Sequence, residues 1–298
     1  MRTVRLSVPA STANLGPGFD SLALALDLRN TLQMESIEDG FIMELEGEGA
    51  NELPTGATSL IARAAQSVFE HVGRSPSGLK VTSVNSIPLS AGLGSSAAAT
   101  VSAVAAANLL VDGGLSTGEM LRLARSFEGH GDNAAASLYG GLNLVTEAGD
   151  DVLARQVSVP SLRVAVALPS FGLSTDTMRR ALPEEISLKD AALNVGHALL
   201  TVEALRSGDY ALLARVMTDR LHEKVRSRHI PGFEKVVEAA REAGAAAVTL
   251  SGAGPSLVAF APRGHERIAQ AMVKAWADLG VSARDLVLNT AEQGVTSV

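Results

Sequence analysis

Residues 87–98 read Ile-Pro-Leu-Ser-Ala-Gly-Leu-Gly-Ser-Ser-Ala-Ala and continue into an alanine-rich apolar stretch that ends near Val111. A glycine-rich turn with paired hydroxyls that opens a helix is a preformed anion site. The first N–H groups of a helix have no partner within it, and the helix dipole adds about half a positive charge there. Gly92 and Gly94 permit positive φ and let the backbone lie close to a phosphate. The pattern therefore predicts a phosphate-binding loop and helix.

The loop has no basic side chain of its own, because no Lys or Arg occurs between Lys80 and Arg122. A triphosphate bound here needs backbone N–H groups, a metal ion and basic residues from elsewhere in the chain. We therefore expect the loop to bind a metal–nucleotide complex, and the remainder of the chain to decide which reaction follows.

The composition is that of a globular protein without a nucleic-acid surface. The 298 residues are 46% hydrophobic and 19% charged, with a net charge of −7, which suits one large or two ordinary domains. No stripe of Lys and Arg with interleaved aromatic residues occurs, so nucleic acid is not an expected partner. The absence of cysteine excludes disulfides, thiolate metal sites and cysteine nucleophiles.

No segment of the sequence is predicted to cross a membrane. The first residues, Met-Arg-Thr-Val-Arg-Leu-Ser-Val, alternate as a strand does and lack the apolar block of a signal peptide. The longest apolar run, Ala97–Val111, is interrupted by polar residues and is too short to span a bilayer comfortably. We therefore expect a cytoplasmic protein.

Hydrophobic periodicity predicts a mixed first half and a more regular second half. The first half has predicted strands at 2–9, 40–48, 79–87 and 140–145, and predicted helices at 59–72, 95–111 and 117–127. The second half has predicted strands at 163–168, 246–250, 256–261 and 283–288, and predicted helices at 175–182, 188–207, 211–221, 233–243 and 263–279. The change near residue 155 predicts domains at 1–155 and 156–298, and the alternation in the second indicates a two-layer α+β or α/β body.

Three glycine-bearing motifs follow one another along the chain. They are Pro-Ala-Ser-Thr-Ala-Asn-Leu-Gly-Pro-Gly-Phe-Asp at 9–20, Gly-Leu-Gly-Ser-Ser-Ala-Ala at 92–98, and Leu-Ser-Gly-Ala-Gly-Pro-Ser at 250–256. Each one alone is as typical of an ordinary turn as of a binding loop. Together, in this order and at these separations, they resemble the signatures of the kinase superfamily that includes galactokinase, homoserine kinase, mevalonate kinase and phosphomevalonate kinase. The resemblance extends from Pro9 to Pro255.

Three further segments narrow the resemblance to one branch. Glu-Gly-His-Gly-Asp-Asn at 128–133 resembles the Glu-Gly-His-Pro-Asp-Asn of the homoserine kinases, and Ser174–Arg179 resembles their Ser-Thr-x-x-x-Arg. Asp219–Arg226, followed by Ile-Pro-Gly at 230–232, is similar to their Asp-x-Leu-His-Glu-Pro-x-Arg and Ile-Pro-Gly. The resemblance implies ATP-dependent phosphorylation of the side-chain hydroxyl of L-homoserine, a step in threonine biosynthesis.

The same resemblance implies a two-lobed α+β fold. The half at 1–155 resembles the domain shared with ribosomal protein S5 and would bind ATP, and the half at 156–298 would be ferredoxin-like. ATP and the acceptor would lie between the lobes. Members of the family often form homodimers, so a homodimer is implied as well.

Carried over residue by residue, the resemblance assigns a nucleotide site and a metal site. The glycine loop would wrap the ATP phosphates, and Ser96 and Glu128 would hold Mg²⁺, for which hydroxyl and carboxylate oxygens are suitable ligands. The alternatives are that Ser96 only caps the helix and that Glu128 is a solvated carboxylate at a helix end. The residues assigned to the nucleotide are Pro88, Leu89, Ser90, Ala91, Gly92, Leu93, Gly94, Ser95, Ser96 and Ala97.

The acceptor site must recognise a small zwitterion with a free hydroxyl. An amino group needs a carboxylate or carbonyl partner, and a carboxylate is bound best by a guanidinium fork. Two alternatives remain: Asp132 only braces its loop, and Asn14 only stabilises an Asx-type turn. The resemblance places Asn14 and Asp20 at the amino group, Arg179 and Arg226 at the carboxylate, Asn133 beside the reacting hydroxyl, and His130 and Thr175 as neighbours.

Asn133 stands where the related mevalonate-type kinases have an aspartate. An amide cannot accept the hydroxyl proton as a carboxylate does. We therefore predict catalysis by Asn133, Ser96 and Glu128 without a dedicated side-chain base, the proton passing to the transferred phosphoryl group. Positioning and charge neutralisation would lower the barrier, as suits a loose phosphoryl-transfer transition state.

The sequence departs from the family pattern at three places. Gly131 replaces the usual proline, which makes the substrate loop more flexible. Ser59 stands where the family often has asparagine near the adenine, and Lys224-Val225 replace Pro-Tyr before Arg226. None of these changes removes a charged group that the chemistry needs.

Three other functions compete with this interpretation. A kinase of the same superfamily could act on another hydroxy acid such as shikimate or mevalonate, although Asp20 favours an amine. Gly92-x-Gly94-x-x-Ala97 also fits a dinucleotide-binding fingerprint, but Asp112 lies at a helix-terminating turn and not at the end of a second strand. A binding protein that keeps the fold without catalysis is disfavoured by the retention of the charged and amide residues assigned to the site.

Overall fold

The structure, a computed structural model, describes residues 2–149 and 151–298. The strands in these ranges are β1 (Thr3–Ala13), β2 (Leu22–Ile37), β3 (Gly40–Gly47), β4 (Gly78–Asn85), β5 (Leu142–Ala148), β6 (Asp151–Val157), β7 (Arg163–Pro169), β8 (Ala247–Leu250), β9 (Leu257–Phe260), β10 (Ala283–Asn289) and β11 (Thr296–Ser297). The α-helices are α1 (Leu60–Val72), α2 (Ser95–Leu110), α3 (Thr117–Glu128), α4 (Asp132–Tyr139), α5 (Thr175–Arg180), α6 (Leu188–Ser207), α7 (Tyr210–Val216), α8 (Glu223–Arg226), α9 (Phe233–Glu242) and α10 (His265–Ala277).

A seven-stranded sheet is the base of the first half. Its main path is β11-β1-β2-β4-β3. The long strand β2 pairs with β4 through its C-terminal part and with β5 through residues 22–24, and β6 extends the sheet beyond β5. Neighbouring strands are antiparallel except β3 and β4, which run parallel. The divided pairing of β2 separates the sheet into two arms, and the glycine loop follows directly after β4.

Four helices cover this sheet, and α2 lies among them. It contacts α1, α3, α4, β1 and β2. Because neighbours surround it, almost every residue of α2 is small or apolar, and twelve of its sixteen residues are buried. The amphipathic α1 begins at Ser59, whose hydroxyl accepts from Ala62 N, and ends at Gly73 in the left-handed conformation. The alanine-rich sequence thus fixes where the helix after the glycine loop lies.

The second half is built on a four-stranded antiparallel sheet in the order β10-β7-β9-β8. Helices connect β7 to β8 and β9 to β10, which gives the β-α-β-β-α-β arrangement of ferredoxin-like folds. Alternate residues of β7 face opposite sides: Ala165 and Ala167 pack against α9 and α10, and Val164 and Val166 join the core shared with the first half. The α+β class and the ferredoxin-like second half are confirmed.

The chain joins the two halves twice, once where it enters the second half and once where it returns to the first sheet. β6 runs to Val157, so the predicted boundary at residue 155 falls within a strand, and the division into 1–155 and 156–298 stays a prediction. After β10 the chain returns to the first sheet, where β11 pairs with β1. In the part of the chain that the structure describes, no helix is both long enough and apolar enough to cross a membrane.

Candidate active site

The first and third glycine motifs are joined by hydrogen bonds between the two halves. Gly252 N donates to Ala13 O at 3.1 Å. The buried Ser251 hydroxyl donates to Gly92 O at 2.7 Å and lies 2.9 Å from Thr12 Oγ1, so this one side chain contacts both of the other motifs. The three motifs therefore form one hydrogen-bonded unit at the floor of a cleft.

Two glycines of the loop are required by this convergence. Gly92 and Gly94 have φ values of +78° and +70°, a region that favours glycine. A Cβ at Gly92 would collide with Ser251 O, and a Cβ at Gly94 would collide with Ser11 Oγ. Ser11 N also donates to Leu93 O at 3.1 Å, so the loop is held against the first motif through its backbone. A side chain at Gly92 would force the glycine loop away from Ser251, and one at Gly94 would displace the Ser11 hydroxyl and strain the backbone.

The N-terminus of α2 opens into the cleft. Its N-cap residue is Gly94, and no side chain among the described residues caps the helix. The first N–H groups of α2 are consequently not satisfied by a cap, and with the helix dipole they suit an anion. Ser95 and Ser96 follow at the first two positions and line the cleft. The alternative in which Ser96 only caps the helix is therefore wrong, since the cap position belongs to Gly94.

Ser96 and Glu128 meet across the cleft mouth. The Ser96 hydroxyl donates to Glu128 Oε1, and Glu128 is the last residue of α3. Both side chains line the cleft. A hydroxyl beside a carboxylate is a donor set that suits Mg²⁺, which keeps its other positions for water and phosphate oxygens. The two residues therefore fit the predicted metal.

An apolar side pocket of about 270 Å³ adjoins the N-terminus of α2. Its wall includes Met43, Leu45, Ile61 and Leu89, and Ser95 and Ser96 lie at its junction with the cleft. Ser59 also lines it, but the Ser59 hydroxyl is used within the protein, because it accepts from Ala62 N at 3.2 Å and lies 3.3 Å from Met43 Sδ. A flat apolar group attached to a phosphate chain would fit here.

At the other end of the cleft, Asp20 forms a two-point ion pair with Arg179. Both oxygen–nitrogen distances are 2.8 Å. Asn14 shapes the Asp20 loop: its Oδ1 accepts from Asp20 N at 3.0 Å, and its Nδ2 donates to Gly252 O at 2.9 Å. The alternative reading of Asn14 as a turn-stabilising residue agrees with these bonds. Asn14, Asp20 and Arg179 all line the cleft.

Arg226 is a buried cation without a carboxylate partner. The residue is 2% exposed, and in the described ranges no carboxylate lies within 4.0 Å of its guanidinium. Its Nη1 lies 3.3 Å from both His222 Nδ1 and Gly252 O. Burial lowers the pKa of Arg226 to about 10, and the charge of Arg179 adds to the effect. A buried cation of this kind, facing a cleft, is suited to receive an anionic ligand.

His130 and Asp132 form a buried pair beside Asp20. His130 Nδ1 lies 2.5 Å from Asp132 Oδ1. Burial lowers the pKa of His130, but the hydrogen bond and charge of Asp132, with the charge of Asp20, outweigh it and leave the pKa above its ordinary value. Asp132 Oδ1 also accepts from Asn133 N at 2.8 Å, so Asp132 braces the loop as the alternative predicted.

Asn133 occupies the middle of the cleft with one end of its amide engaged. Ser11 Oγ donates to Asn133 Oδ1 at 2.8 Å. The amide nitrogen then presents two N–H donors and no lone pair that could take up a proton. Asn133 can therefore orient an oxygen in the cleft, and it cannot act as a base.

A second group of potential metal ligands lies at the end of the cleft where Asp20 pairs with Arg179. Ligand atoms of Asp20, His130 and Asp132 lie within 4.8 Å of one another. Asp20 is already paired with Arg179, and Asp132 with His130, so both carboxylates have partners within the protein. These side chains suit an ammonium ion better than a divalent metal cation. The positive charge of Arg179 would repel a divalent cation more strongly than a singly charged ammonium group.

The cleft gathers most of the residues predicted for it and several that were not. Thr175, Pro88, Ser90 and Ala91 line it. Three loop residues have side chains that point elsewhere: Leu93 and Ala97 are fully buried in the core, and Leu89 lines the side pocket. Ser11, Gly252 and Ala253 belong to the site but were not assigned, although the first and third motifs contained them. Leu173 and Ala13 also line the cleft.

Comparison with known proteins identifies the family. The family model described as GHMP kinases N terminal domain matches residues 59–141, and the one described as GHMP kinases C terminal matches residues 201–278. A homoserine kinase from Moorella thermoacetica is 44% identical over 275 residues, covering 92% of this chain and 93% of that protein. One from Synechococcus sp. (strain CC9605) is 43% identical, covering 98% and 94%.

The chain belongs to the homoserine kinase family of the GHMP kinases. The crystal structure of a homoserine kinase from Cytophaga hutchinsonii superposes with a TM-score of 0.90 at 30% identity, covering 100% of this chain and 98% of that one. The predicted two-lobed fold and the predicted enzyme class, an ATP-dependent small-molecule kinase, are thereby confirmed. Membership leaves the roles of individual cleft residues as predictions.

Proposed function

We propose that the protein transfers the γ-phosphoryl group of ATP to the side-chain hydroxyl of L-homoserine, which gives O-phospho-L-homoserine for threonine biosynthesis. The observation that carries this proposal is the charge arrangement at the acceptor end of the cleft. The carboxylate of Asp20 and the guanidinium groups of Arg179 and Arg226 line the same cleft. The ammonium and carboxylate of an α-amino acid are joined through one carbon, so they need adjacent acidic and basic partners.

In this proposal Asp20 accepts from the ammonium group, and Arg226 binds the carboxylate. Arg179, which holds Asp20 at two points, keeps the acid in place and contributes a second positive charge to the carboxylate. Burial of Arg226 makes its interaction with an anion stronger than it would be in water. His130 and Thr175 would close the acceptor site, and Asn14 would act through the shape of the Asp20 loop.

At the donor end, residues 88–97 and the N-terminus of α2 would hold the phosphates, and the adenine would enter the apolar side pocket. Ser96 and Glu128 would hold Mg²⁺, which supplies positive charge to the phosphate oxygens when bound. Ser96 and Glu128 are already hydrogen-bonded to each other, so little rearrangement is needed to present both oxygens to one ion.

Asn133 would orient the acceptor hydroxyl toward the phosphoryl group. Ser11 fixes its carbonyl oxygen, so the amide N–H groups are free to donate to the reacting oxygens in this proposal. No carboxylate stands in this place to remove the proton, which would pass to the transferred phosphoryl oxygens as the new P–O bond forms. Positioning and neutralisation of charge then supply the catalysis.

The test is ATP consumption with Mg²⁺ and a panel of L-homoserine, L-serine, L-threonine, shikimate and mevalonate. We expect turnover chiefly with homoserine. Turnover with shikimate or mevalonate instead would retain the donor site and overturn the assignments of Asp20 and Arg226. No turnover with any of the five would favour a binding protein or a kinase for a different acceptor.

We also propose a homodimer, and the exposed face of α6 supports it. Leu188, Val195 and Leu199 are 86%, 62% and 68% exposed, and no charged residue occurs from 191 to 202. Together with Ala192 they form a stripe along α6 in which successive members are four, three and four residues apart. This spacing is the same from either end of the helix. In an antiparallel pair of α6 helices, Leu188 would face Leu199 of the second copy and Ala192 would face Val195.

The charged residues near the two ends of α6 favour an antiparallel arrangement of the two α6 helices. Glu184 and Glu185 precede α6, and Arg206 lies near its C-terminal end on the side of the stripe. An antiparallel pair places these acids near Arg206 of the second copy, whereas a parallel pair places the Arg206–Glu203 ion pairs of the two copies side by side. The cytoplasmic location expected from the sequence stays a prediction.

A further inference from the structure

His222 is a fully buried side chain that connects the loop before Asp20 to Arg226. It is 0% exposed and lies immediately before α8. Its Nε2 lies 2.9 Å from Gly16 O, and a carbonyl oxygen can only accept, so Nε2 carries the proton. Nδ1 of the neutral ring then has a lone pair. Arg226 Nη1, at 3.3 Å, donates to it.

The His222 ring also fixes the guanidinium through a neighbouring aromatic ring. It stacks on Phe19 with centroids 5.2 Å apart and planes inclined by 28°. The guanidinium carbons of Arg226 and Arg179 lie 5.2 Å and 5.5 Å from the centroid of the same Phe19 ring. His222 therefore holds Arg226 directly by a hydrogen bond and indirectly through Phe19.

The charged groups around His222 agree with a neutral ring. Burial lowers the pKa of His222, and the positive charge of Arg226 lowers it further. Asp219, whose Oδ1 lies 3.8 Å from Nε2, and Asp20 act in the opposite direction. A protonated ring would lose the lone pair at Nδ1 and would repel Arg226.

No carboxylate in the described chain holds the fork of Arg226; besides His222, it donates to two backbone carbonyls, from Nη1 to Gly252 O at 3.3 Å and from Nε to Met178 O at 3.5 Å. A guanidinium binds a carboxylate well only when two of its N–H groups point at the two oxygens. An unsupported fork loses this alignment through side-chain rotation, and an ångström of misplacement is costly at a binding site. The bond to His222 restricts that rotation and leaves Nη2, which makes no hydrogen bond within the described residues, for a ligand.

We propose that His222 is a positioning residue for acceptor recognition: as a neutral imidazole whose tautomer is fixed by Gly16 O, it aligns Arg226 to bind the carboxylate of the acceptor. The inference rests on the proposed function, since it requires that Arg226 receive that carboxylate. His222 itself does not touch the reacting atoms.

The experiment compares the full-length protein with His222→Phe and His222→Gln. Phenylalanine keeps a ring beside Phe19 and removes both hydrogen bonds, and glutamine retains one donor and one acceptor. We expect His222→Phe to raise KM for homoserine about tenfold or more, with KM for ATP unchanged and kcat little changed. We expect His222→Gln to restore KM to within about threefold of the original value.

A double-mutant cycle and a matched histidine test the mechanism. If His222 acts through Arg226, His222→Phe adds little once Arg226→Lys is present, whereas independent residues give additive effects. His265→Phe is the control, because His265 is also buried and bonded to a carbonyl, Ala261 O, but lies away from the cleft. We expect it to change thermal stability and to leave KM for homoserine unchanged.

The outcomes separate this inference from the proposed function. Additive effects, an equal rise in KM for ATP, failure of glutamine to restore KM, or no effect of His222→Phe would each overturn the positioning role. If the unsubstituted protein does not phosphorylate homoserine at all, the proposed function fails first, and the role of His222 in acceptor recognition fails with it.

Discussion

The carboxylate of Asp20 and the guanidinium of Arg179 share two hydrogen bonds of 2.8 Å, although 159 residues separate them in the chain. One belongs to the loop after β1 and the other to α5, so the pair bridges the two halves across the cleft. The carboxylate of Asp20 is already oriented before an acceptor arrives. Its partner also raises the local positive potential where the acceptor carboxylate would lie.

Asp20→Asn should weaken acceptor binding selectively. The ammonium group would lose its charged partner, and Arg179 would be left without a counter-charge. We expect KM for homoserine to rise about 10- to 100-fold, with KM for ATP unchanged, in a steady-state assay. The matched control is Asp176→Asn, which removes an exposed ion pair with Arg180 on α5. A large effect of the control, or an equal loss for ATP, would contradict the assignment.

Glu128→Gln should raise the Mg²⁺ requirement. An amide oxygen is a weaker ligand than a carboxylate, so more Mg²⁺ is needed to reach half of the maximal rate. We expect an increase of about tenfold or more in a Mg²⁺ titration at fixed ATP. Ser126→Ala, at an exposed hydroxyl bonded to Leu123 O on the same helix, should leave the titration unchanged. An unaltered titration in Glu128→Gln would remove Glu128 from the metal site.

Asn133→Asp should lower kcat. The new carboxylate would stand beside the buried Asp132 and would oppose the negative charge of the phosphoryl group. It would also lack the N–H donors that orient the hydroxyl. We expect kcat of Asn133→Asp to be about tenfold or more below that of the original protein, and kcat of Asn133→Ala to be lowered by a similar factor. A severalfold increase in kcat for Asn133→Asp would show that a base is useful here and would overturn the base-free mechanism.

The buried carboxyl group of Glu223 should make the free energy of unfolding of the protein depend on pH. Burial raises the pKa of its carboxyl from 4.5 to about 7, although Leu250 N and Thr249 Oγ1 lower it by donating to Oε1. Between pH 4.5 and 7 the folded protein therefore binds a proton that the unfolded chain has released, so stability falls as pH rises through this window.

Glu223→Gln should abolish that component, because an amide does not titrate and its oxygen still accepts from Leu250 N. The free energy of unfolding of the variant, relative to the original protein, should therefore increase from pH 4.5 to 7 in denaturant titrations. Glu238→Gln, at an exposed position of α9, provides the control. A constant difference between Glu223→Gln and the original protein across this window would show that Glu223 titrates normally.

Engineered cysteines can test the α6 pairing, because the chain contains none of its own. We expect an equimolar mixture of Ala192→Cys and Val195→Cys proteins to form a disulfide-linked dimer under mild oxidation, and each protein alone to do so far less. A parallel pair would link Ala192→Cys to itself. Leu199→Glu should yield a monomer in sedimentation, whereas Leu153→Glu, at an exposed leucine of β6, should not.

Much of the site could be predicted because the motifs are local. The loop, the N-terminus of α2 and the gathering of Asn14, Asp20, Asn133, Arg179 and Arg226 follow from short segments whose order the resemblance supplied. The hydrogen bonds among those segments could not be predicted. The contact of Ser251 with Gly92 depends on how two stretches far apart in the sequence pack together, and no local pattern encodes such a distance.

No strand or helix was predicted for β2, α4 or β6, and one predicted helix was too long because a side chain competes with it. Periodicity predicted a helix at 211–221, but α7 ends at Val216. Asp219 Oδ2 accepts from the N–H groups of Leu221, His222 and Glu223, so the backbone turns around this carboxylate instead of continuing the helix. That turn is what places Arg226 at the cleft and His222 beside it.

The contact of Ser251 with Gly92 means that the conformation of the glycine loop does not depend on the first half of the chain alone. A fragment that ended near residue 155 would contain every residue of the loop but would lack the surface on which it rests. Substitutions that enlarge Gly92 could be tolerated only with a matching retreat of the chain at Ser251. Residues 92 and 251 should therefore change together in related kinases or not at all. A chimera of two related kinases that is joined between these positions would combine a glycine loop with a Ser251 segment that does not match it.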